Sequence, residues 1–407
     1  MDCQIARIGF RYGYVTALVT FFGGISVTFD AGAQTSGSVA NEVLSVQAGF
    51  GQSWDSNLFR RPDFVGPRSE VLTVTSGTLR FDKPVSRQRF QLELNEDMKR
   101  YQNFSYLDFN ATRYRASWLW NPGNWLNASL VLDRSRSLAP FEDTLTNLRN
   151  VSIRANKVLD LNGRITGGWN WLANLSRTDQ KSELAIAVSP SQRMDSTSIG
   201  FRYLFPSGNY LDFKQRASRG DYLNQSIIPG VSGTSFKESA SEFSAYWKVG
   251  GRSDLTGHVS LTRRKDGQYT QRDFSGASGD ITYGWKPTAK LGLSLTVSRS
   301  LQPLQTPSFS YTENNLASIT STWQISSKLA AHLLVSRTTS GYRGQGTTPA
   351  IEMARRDTTT NTEAGVDWLP IRALTIRLSL QRQVRDSNLA MAKYGDKVAK
   401  IDATWSF

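Results

Sequence analysis

At 407 residues the chain is long enough for two or three soluble domains or for one large barrel. A hydrophobic content of 39% and a mean hydropathy of -0.39 exclude a bundle of membrane helices, while a formal charge of +14 and a pI near 9.9 favour an anionic partner. Nucleic acid fits that charge poorly, because the chain has no zinc-ligand spacing, no helix-turn-helix pattern and no lysine-rich tail.

The first predicted element is a leader. Arg7 and Arg11 precede the apolar run "YVTALVTFFGGISVTF", and Ala31, Gly32 and Ala33 supply small residues at the cleavage-defining positions. Residues 1–33 therefore read as a secretory signal peptide, with Gln34 the first mature residue and 34–42 a short periplasmic segment. The run is short for a retained anchor, and no second stretch of ~20 apolar residues follows. Cys3, the only cysteine, lies in the leader, so the exported chain is expected to carry no disulfide and no thiol chemistry.

From Val43 to Phe407 no helix is expected, and alternating segments recur every ~20 residues, as in an up-and-down barrel. Short connections are expected at 81–86, 121–124, 161–164, 206–209, 250–253, 286–289, 326–327 and 370–371, where Pro, Gly, Asn and Ser gather. They take turns with long ones at 55–69, 101–110, 137–149, 178–192, 220–235, 265–272, 301–308, 340–356 and 386–394. Short turns alternating with long loops are the outer-membrane arrangement, periplasmic on one side and extracellular on the other. The fold class expected is all-β: a transmembrane antiparallel up-and-down barrel of about eighteen strands over 43–407.

Period two splits each strand into faces. In "LTIRLSLQR", Leu374, Ile376, Leu378 and Leu380 oppose Thr375, Arg377, Ser379 and Gln381. A soluble sandwich would alternate in the same way, so the decision rests on the ends of the stripes. Strands descending to short turns finish with an aromatic on the apolar face, at Trp120, Trp247, Trp285, Trp323, Trp368 and Trp405. Amphipathic rings gather at the lipid–water boundary, and a sandwich core has no cause to align them at one edge.

Ascending strands carry an arginine two positions past the last apolar residue: Arg134, Arg177, Arg219, Arg263, Arg299, Arg337 and Arg382. About eleven residues above the turn, at ~3.3 Å each and a tilt near ~40°, is a height of ~28 Å, just above an apolar band of ~25 Å. The ring is expected to bind phosphates of outer-leaflet lipopolysaccharide through the guanidinium fork, the competing reading being solvated rim charge.

The opposite face is the expected lumen, with Arg89, Arg113, Arg115, Arg154, Arg202, Lys214, Arg216 and Arg377 among acids such as Glu93, Asp97, Asp212, Glu238, Glu242, Glu363 and Asp367. A mildly basic, hydrated lumen suits a polar and anionic solute, although part of these charges must pair with each other. His258 and His332, the only histidines, have neither a nucleophile nor a metal-ligand spacing beside them. No enzyme activity, metal or cofactor is expected. Phe407 ends an alternating segment, "KVAKIDATWSF", in the form by which barrels present themselves to the outer-membrane assembly machinery.

The strings "WDSNLFRRP" (54–62), "FDKPVSRQRFQLELN" (81–95), "NFSYLDFNATRYRASWLW" (103–120), "SLAPFEDT" (137–144) and "PSGNYLDFKQRASRGDYLN" (206–224) resemble the EpsL family, outer-membrane barrels encoded with exopolysaccharide biosynthesis and exosortase systems of Gram-negative bacteria. The resemblance implies a part in secreting an extracellular polysaccharide, alongside other export proteins. Three readings stand: a polysaccharide-export barrel, a general or sugar-selective porin, and a non-conducting barrel whose loops bind polymer. Loops 220–235 and 340–356, rich in Gly and Ser, are candidates for an inward constriction.

Overall fold

The computed structural model describes residues 43–142, 147–184, 190–223, 233–306, 308–344 and 355–407; the leader and the segment 34–42 lie outside them. Among the described residues, alternation resolves into eighteen strands. They are β1 (Leu44–Asp55), β2 (Glu70–Val85), β3 (Gln88–Tyr101), β4 (Phe109–Gly123), β5 (Leu126–Leu138) and β6 (Val151–Thr166). There follow β7 (Trp169–Ser182), β8 (Ser191–Leu204), β9 (Tyr210–Leu223), β10 (Ser235–Val249), β11 (Ser253–Asp266) and β12 (Phe274–Trp285). The last six are β13 (Leu291–Pro303), β14 (Tyr311–Gln324), β15 (Leu329–Arg343), β16 (Arg356–Ile371), β17 (Leu374–Ser387) and β18 (Tyr394–Ser406).

Each strand pairs antiparallel with its neighbours in sequence, and β1 pairs with β18, so the sheet closes on itself and has no free edge. At the seam Ala48 faces Trp405 and Gln52 faces Ile401, and the Phe407 amide donates to the Val46 carbonyl at 2.8 Å. Because opposed residues share a face, the register carries one apolar row from strand to strand around the outside. Phe50, Leu295, Val297, Ile319, Leu378, Leu380 and Ile401 lie on it, all exposed. A soluble barrel would bury such a row; this one leaves Val297 64% and Leu380 67% exposed.

Three expected short turns fall elsewhere. β2 runs to Val85 and turns at Ser86, which takes φ 53°, before Gln88. β6 continues through 161–164 and turns at Gly167, with φ 55°. Gly163 is there for space instead, since a Cβ would run into the Trp171 ring on the next strand. β16 likewise passes through Pro370 and Ile371. The reason is common to all three: Pro and Gly are tolerated in the last residues of a strand, where ladder bonds are ending, so they signal a turn a few residues early. At 121–124, β4 extends to Gly123 with a register shift after Trp120.

Among the described residues, most buried apolar side chains gather at the long-loop end, in a cluster of Phe59, Tyr101, Leu107, Phe109, Ala111, Phe141 and Val151 and a smaller one of Leu304, Phe309 and Tyr342.

Candidate solute pathway

The inward rows alternate with the apolar ones and line the lumen. All eight cations expected there occupy inward positions, and five of them hold carboxylates. Arg89 grips Asp82 with two bonds of 2.6 and 2.5 Å, and Arg202 grips Asp212 with two of 2.7 Å while lying 4.0 Å over the Tyr210 ring. Arg216 bridges Glu242 at 2.7 Å and Glu238 at 2.9 Å, Arg377 reaches Asp367 at 2.5 Å, and Arg113 stands 3.8 Å from Asp133. Arg154 donates to Asn156 at 3.4 Å. Arg115 lies between Glu93 and Asp133 in register, and Lys214 between Gly200 and Glu242.

The expected basic lumen is corrected by these rows. On the strands, inward carboxylates are as numerous as inward cations, because Asp55, Glu70, Asp82, Glu93, Asp97, Asp133, Asp160 and Asp402 all face inside. The excess of Lys and Arg sits instead on the outward row at the long-loop end and on short turns, at Arg87, Arg252, Lys286, Lys290, Lys328 and Arg372. Like charges spread over an outer surface repel weakly through water, whereas a wall of unpaired cations would not.

One part of the wall carries no charge at all. Inward residues of β13 include Ser294, Thr296, Ser298, Ser300 and Gln302, and those of β14 include Thr312, Asn314, Ser318, Thr320 and Thr322. The Thr296 hydroxyl lies 3.0 Å from that of Thr282 on β12.

The mouth over β1–β6 is roofed by three loops that turn inward: L1 (56–69), L2 (102–108) and the described part of L3 (139–150). Phe59 of L1 meets Phe104 and Phe141 edge to face, with centroids 4.8 and 4.9 Å apart. Asn57, fully buried, donates to the carbonyls of Arg61 and Gly395 at 2.8 and 3.0 Å. Glu70, also buried, accepts the backbone N–H groups of Gln102, Asn103 and Phe104 at 2.9 to 3.1 Å; Gln102 also donates to the Val71 carbonyl at 3.1 Å, so it is the Asn103 and Phe104 groups that depend on this carboxylate. L3 reaches across to the other side of the seam: the Tyr394 hydroxyl donates to Glu142 at 2.8 Å, and Arg385 donates to the Glu142 carbonyl at 3.1 Å. Arg60, in the left-handed region at φ 55°, bonds Asp55 at 3.0 Å and Asp396 at 3.1 Å. Burial alone would depress its pKa, and the two carboxylates together raise it instead.

Sequence reasoning placed a constriction in loops 220–235 and 340–356, most of which (224–232 and 345–354) lies outside the described residues. It missed the L1–L3 roof. The strings "WDSNLFRRP", "NFSYLDFN" and "SLAPFE" were the available signal, since they supply Phe59, Leu107, Phe109 and Phe141 to one cluster. Across the mouth, Arg272 donates to the Leu304 carbonyl, and its pKa is lowered chiefly by burial.

On the outward side, Trp120, Trp247, Trp285, Trp323, Trp368 and Trp405 stand beside short turns with 38% to 52% exposure, and an arc of rings runs Trp169–Tyr203–Phe205–Trp247 at 5.1, 4.7 and 5.2 Å. The arginines expected above the apolar band all take outward positions, but not all are free. Asp195 holds Arg177 at 2.5 Å, and Glu313 holds Arg299 at 2.8 Å. Among the described residues, Arg134, Arg219, Arg263, Arg337 and Arg382 have no carboxylate partner. His258 faces Asp280 at 3.8 Å, and His332 faces Glu363 and Asp367 at 3.9 Å, inside the lumen.

Residues 255–407 match a family model described as "Putative beta-barrel porin 2". No curated protein matches the sequence. The structure is similar to that of OccK2 (OpdF) from Pseudomonas aeruginosa in complex with glucuronate, at 10% identity and a TM-score of 0.51, over 89% of this chain and 98% of that one. OccK2 (OpdF) without that ligand gives the same identity and TM-score over 89% and 97%. OpdK from Pseudomonas aeruginosa aligns over 89% and 99% at 10% identity, with a TM-score of 0.48. Closed barrel and family match agree on a porin-like outer-membrane β-barrel.

Proposed function

We propose that this barrel takes part in moving an extracellular polysaccharide across the outer membrane, through its lumen. The observation that carries this reading is the uncharged wall of β13 and β14 inside a pore whose other charges are largely paired. A polysaccharide presents many hydroxyls and few strong charges. It can exchange water for Ser, Thr, Asn and Gln partners one at a time, so no single step is tightly bound. Paired charges opposite keep the lumen wet without holding an acidic sugar fast. The resemblance to exopolysaccharide-associated barrels supports the same solute. In this reading the barrel works beside other export proteins, Phe407 serves recognition by the assembly machinery, and the tryptophan girdle fixes the height in lipid.

Single-channel recording tests it. Neutral and acidic oligosaccharides should block the open pore, and the triple variant Thr296→Leu, Ser298→Leu, Thr320→Leu should weaken blockade about tenfold while leaving salt conductance in place. Open conductance indifferent to oligosaccharide would make the protein a general porin, and silence would make it a structural barrel; either result overturns the proposal.

A further inference from the structure

The basic ring is uneven, and its densest part lies beside a depression on the outer wall. Arg219 on β9 is opposite Lys237 on β10, which is opposite Lys265 on β11; Arg263, two residues before Lys265, is opposite Ser239. All four cations are exposed, and none has a carboxylate partner among the described residues. Asp195, the acid opposite Arg219 on β8, is already engaged by Arg177, and Asp221 stands one outward position higher, opposite Ser235. Opposed positions on neighbouring strands are ~5 Å apart, so four positive charges occupy a patch about three strands wide.

At the same height the wall is hollow. Gln215, Ser239, Ser241, Ser275 and Ala277 line a depression of about 450 Å³ beneath Arg263. Apart from Leu261 the outward side chains around it are short or polar, and Gln215 donates to the Ser241 hydroxyl at 2.9 Å. Leu261, opposite Ser241 and Ala277, forms the apolar floor of the groove, and below it the row continues with Phe243, Val259 and Ile281, all exposed.

We infer that the outward face of β9–β12 is a binding site for one lipopolysaccharide molecule. Its phosphates lie on Arg219, Lys237, Arg263 and Lys265, its amide-bearing sugar backbone over Ser239, Ser241 and Gln215, and its acyl chains along the apolar row below. The order of chemistry up the wall matches the order in that lipid: hydrocarbon, then hydrogen-bonding sugar, then multiple phosphates. A glycerophospholipid, with one phosphate and no sugar pair, leaves the groove and most of the cations unused. Elsewhere in the ring the cations stand in ones or twos, as Arg382 opposite Lys397 or Arg134 beside Arg136, or are neutralised as Arg177 and Arg299 are. The site rests on the outer-membrane placement and not on which solute passes through the lumen.

The full barrel, purified and placed in nanodiscs containing lipopolysaccharide and phosphatidylglycerol, provides the test, with lipid retained through detergent exchange measured by native mass spectrometry. The variant Arg219→Gln, Lys237→Gln, Arg263→Gln, Lys265→Gln should lose lipopolysaccharide retention about tenfold or more, and the control Arg134→Gln, Arg337→Gln, Arg382→Gln, Lys397→Gln less than about twofold. A second variant, Ser239→Trp, keeps every cation and fills the groove, and should lose retention as well; heat-modifiable migration checks folding of all three. Equal loss in patch and control, equal retention of phosphatidylglycerol and lipopolysaccharide, or no retention by the parent barrel would each overturn the site. Oligosaccharide blockade of the pore should be unchanged in the patch variant, so failure here and failure of the transport reading are told apart.

Discussion

Along β13 and β14 the inward rows are mostly hydroxyls and amides, whereas from β17 through the seam to β6 they carry many charges, several tied in pairs, with a packed roof of loops over β1–β6. The same backbone geometry carries both, so the difference lies in what each side chain needs once inside. A carboxylate or guanidinium on a wall settles when a partner of opposite sign is two strand positions away, and the pairs then stiffen that sector. A hydroxyl satisfies itself with water or with a passing solute. Buried carboxylates also do something hydroxyls cannot: Glu70 gathers the backbone N–H groups of L2, and the L1–L3 roof is built around that anchor.

The comparison breaks most sharply at Glu70. Replacing it by alanine removes the acceptor of the Asn103 and Phe104 N–H groups and one of the two acceptors of Gln102, and should weaken the roof by about 3 kcal/mol, given that each bond to a charged acceptor contributes ~1.5 kcal/mol or more. The loss should be local, with faster hydrogen exchange in L2, new protease cuts in L1 and L2, and noisier conductance while the barrel itself stays folded. Exchange at 102–104 as slow as in the parent would show that the roof does not hang on this carboxylate. A smaller break is Tyr394→Phe, which removes one hydrogen bond from the tether between β18 and Glu142 and should cost about 1 kcal/mol, read as partial release of L3 to proteases.

These two sectors were legible in the sequence to different depths. Strand faces could be read because one residue of slippage would turn every Leu outside in, so the pattern admits a single register. The cations expected inside and outside accordingly occupy those rows, from Arg89 to Arg377 and from Arg134 to Arg382. Pairing was harder. That Arg202 meets Asp212, ten residues on, is within reach of inspection, but the Arg60–Asp396 contact joins the first loop to the last strand and exists only because the seam closes. The roof was invisible for the same reason. Phe59, Leu107 and Phe141 lie in three separate loops whose composition gives no period, and the Glu142–Tyr394 bond spans 252 residues. Net charge misled about the lumen, since +14 for the whole chain says nothing of which face holds it.

The hydroxyl sector sharpens the comparison at the smallest energetic scale. Thr296→Glu places one carboxylate on an inward row whose described neighbours on β13 and β14 include neither cation nor acid. In a wide hydrated wall the new charge keeps its water, so stability should move by less than about 0.5 kcal/mol, as for other surface substitutions. Permeation should respond although folding does not. With no guanidinium in register to neutralise it, the carboxylate repels anions along the sector proposed for the solute. Reversal potentials in a salt gradient should shift toward cation selectivity, and blockade by an acidic oligosaccharide should weaken more than blockade by a neutral one. The same charge added beside a paired arginine, as Ser379→Glu next to Arg377, should shift selectivity less, because a cation is already within reach. Equal shifts from the two variants would mean that the lumen averages its charge over the whole wall, and the distinction between its sectors would have no bearing on transport.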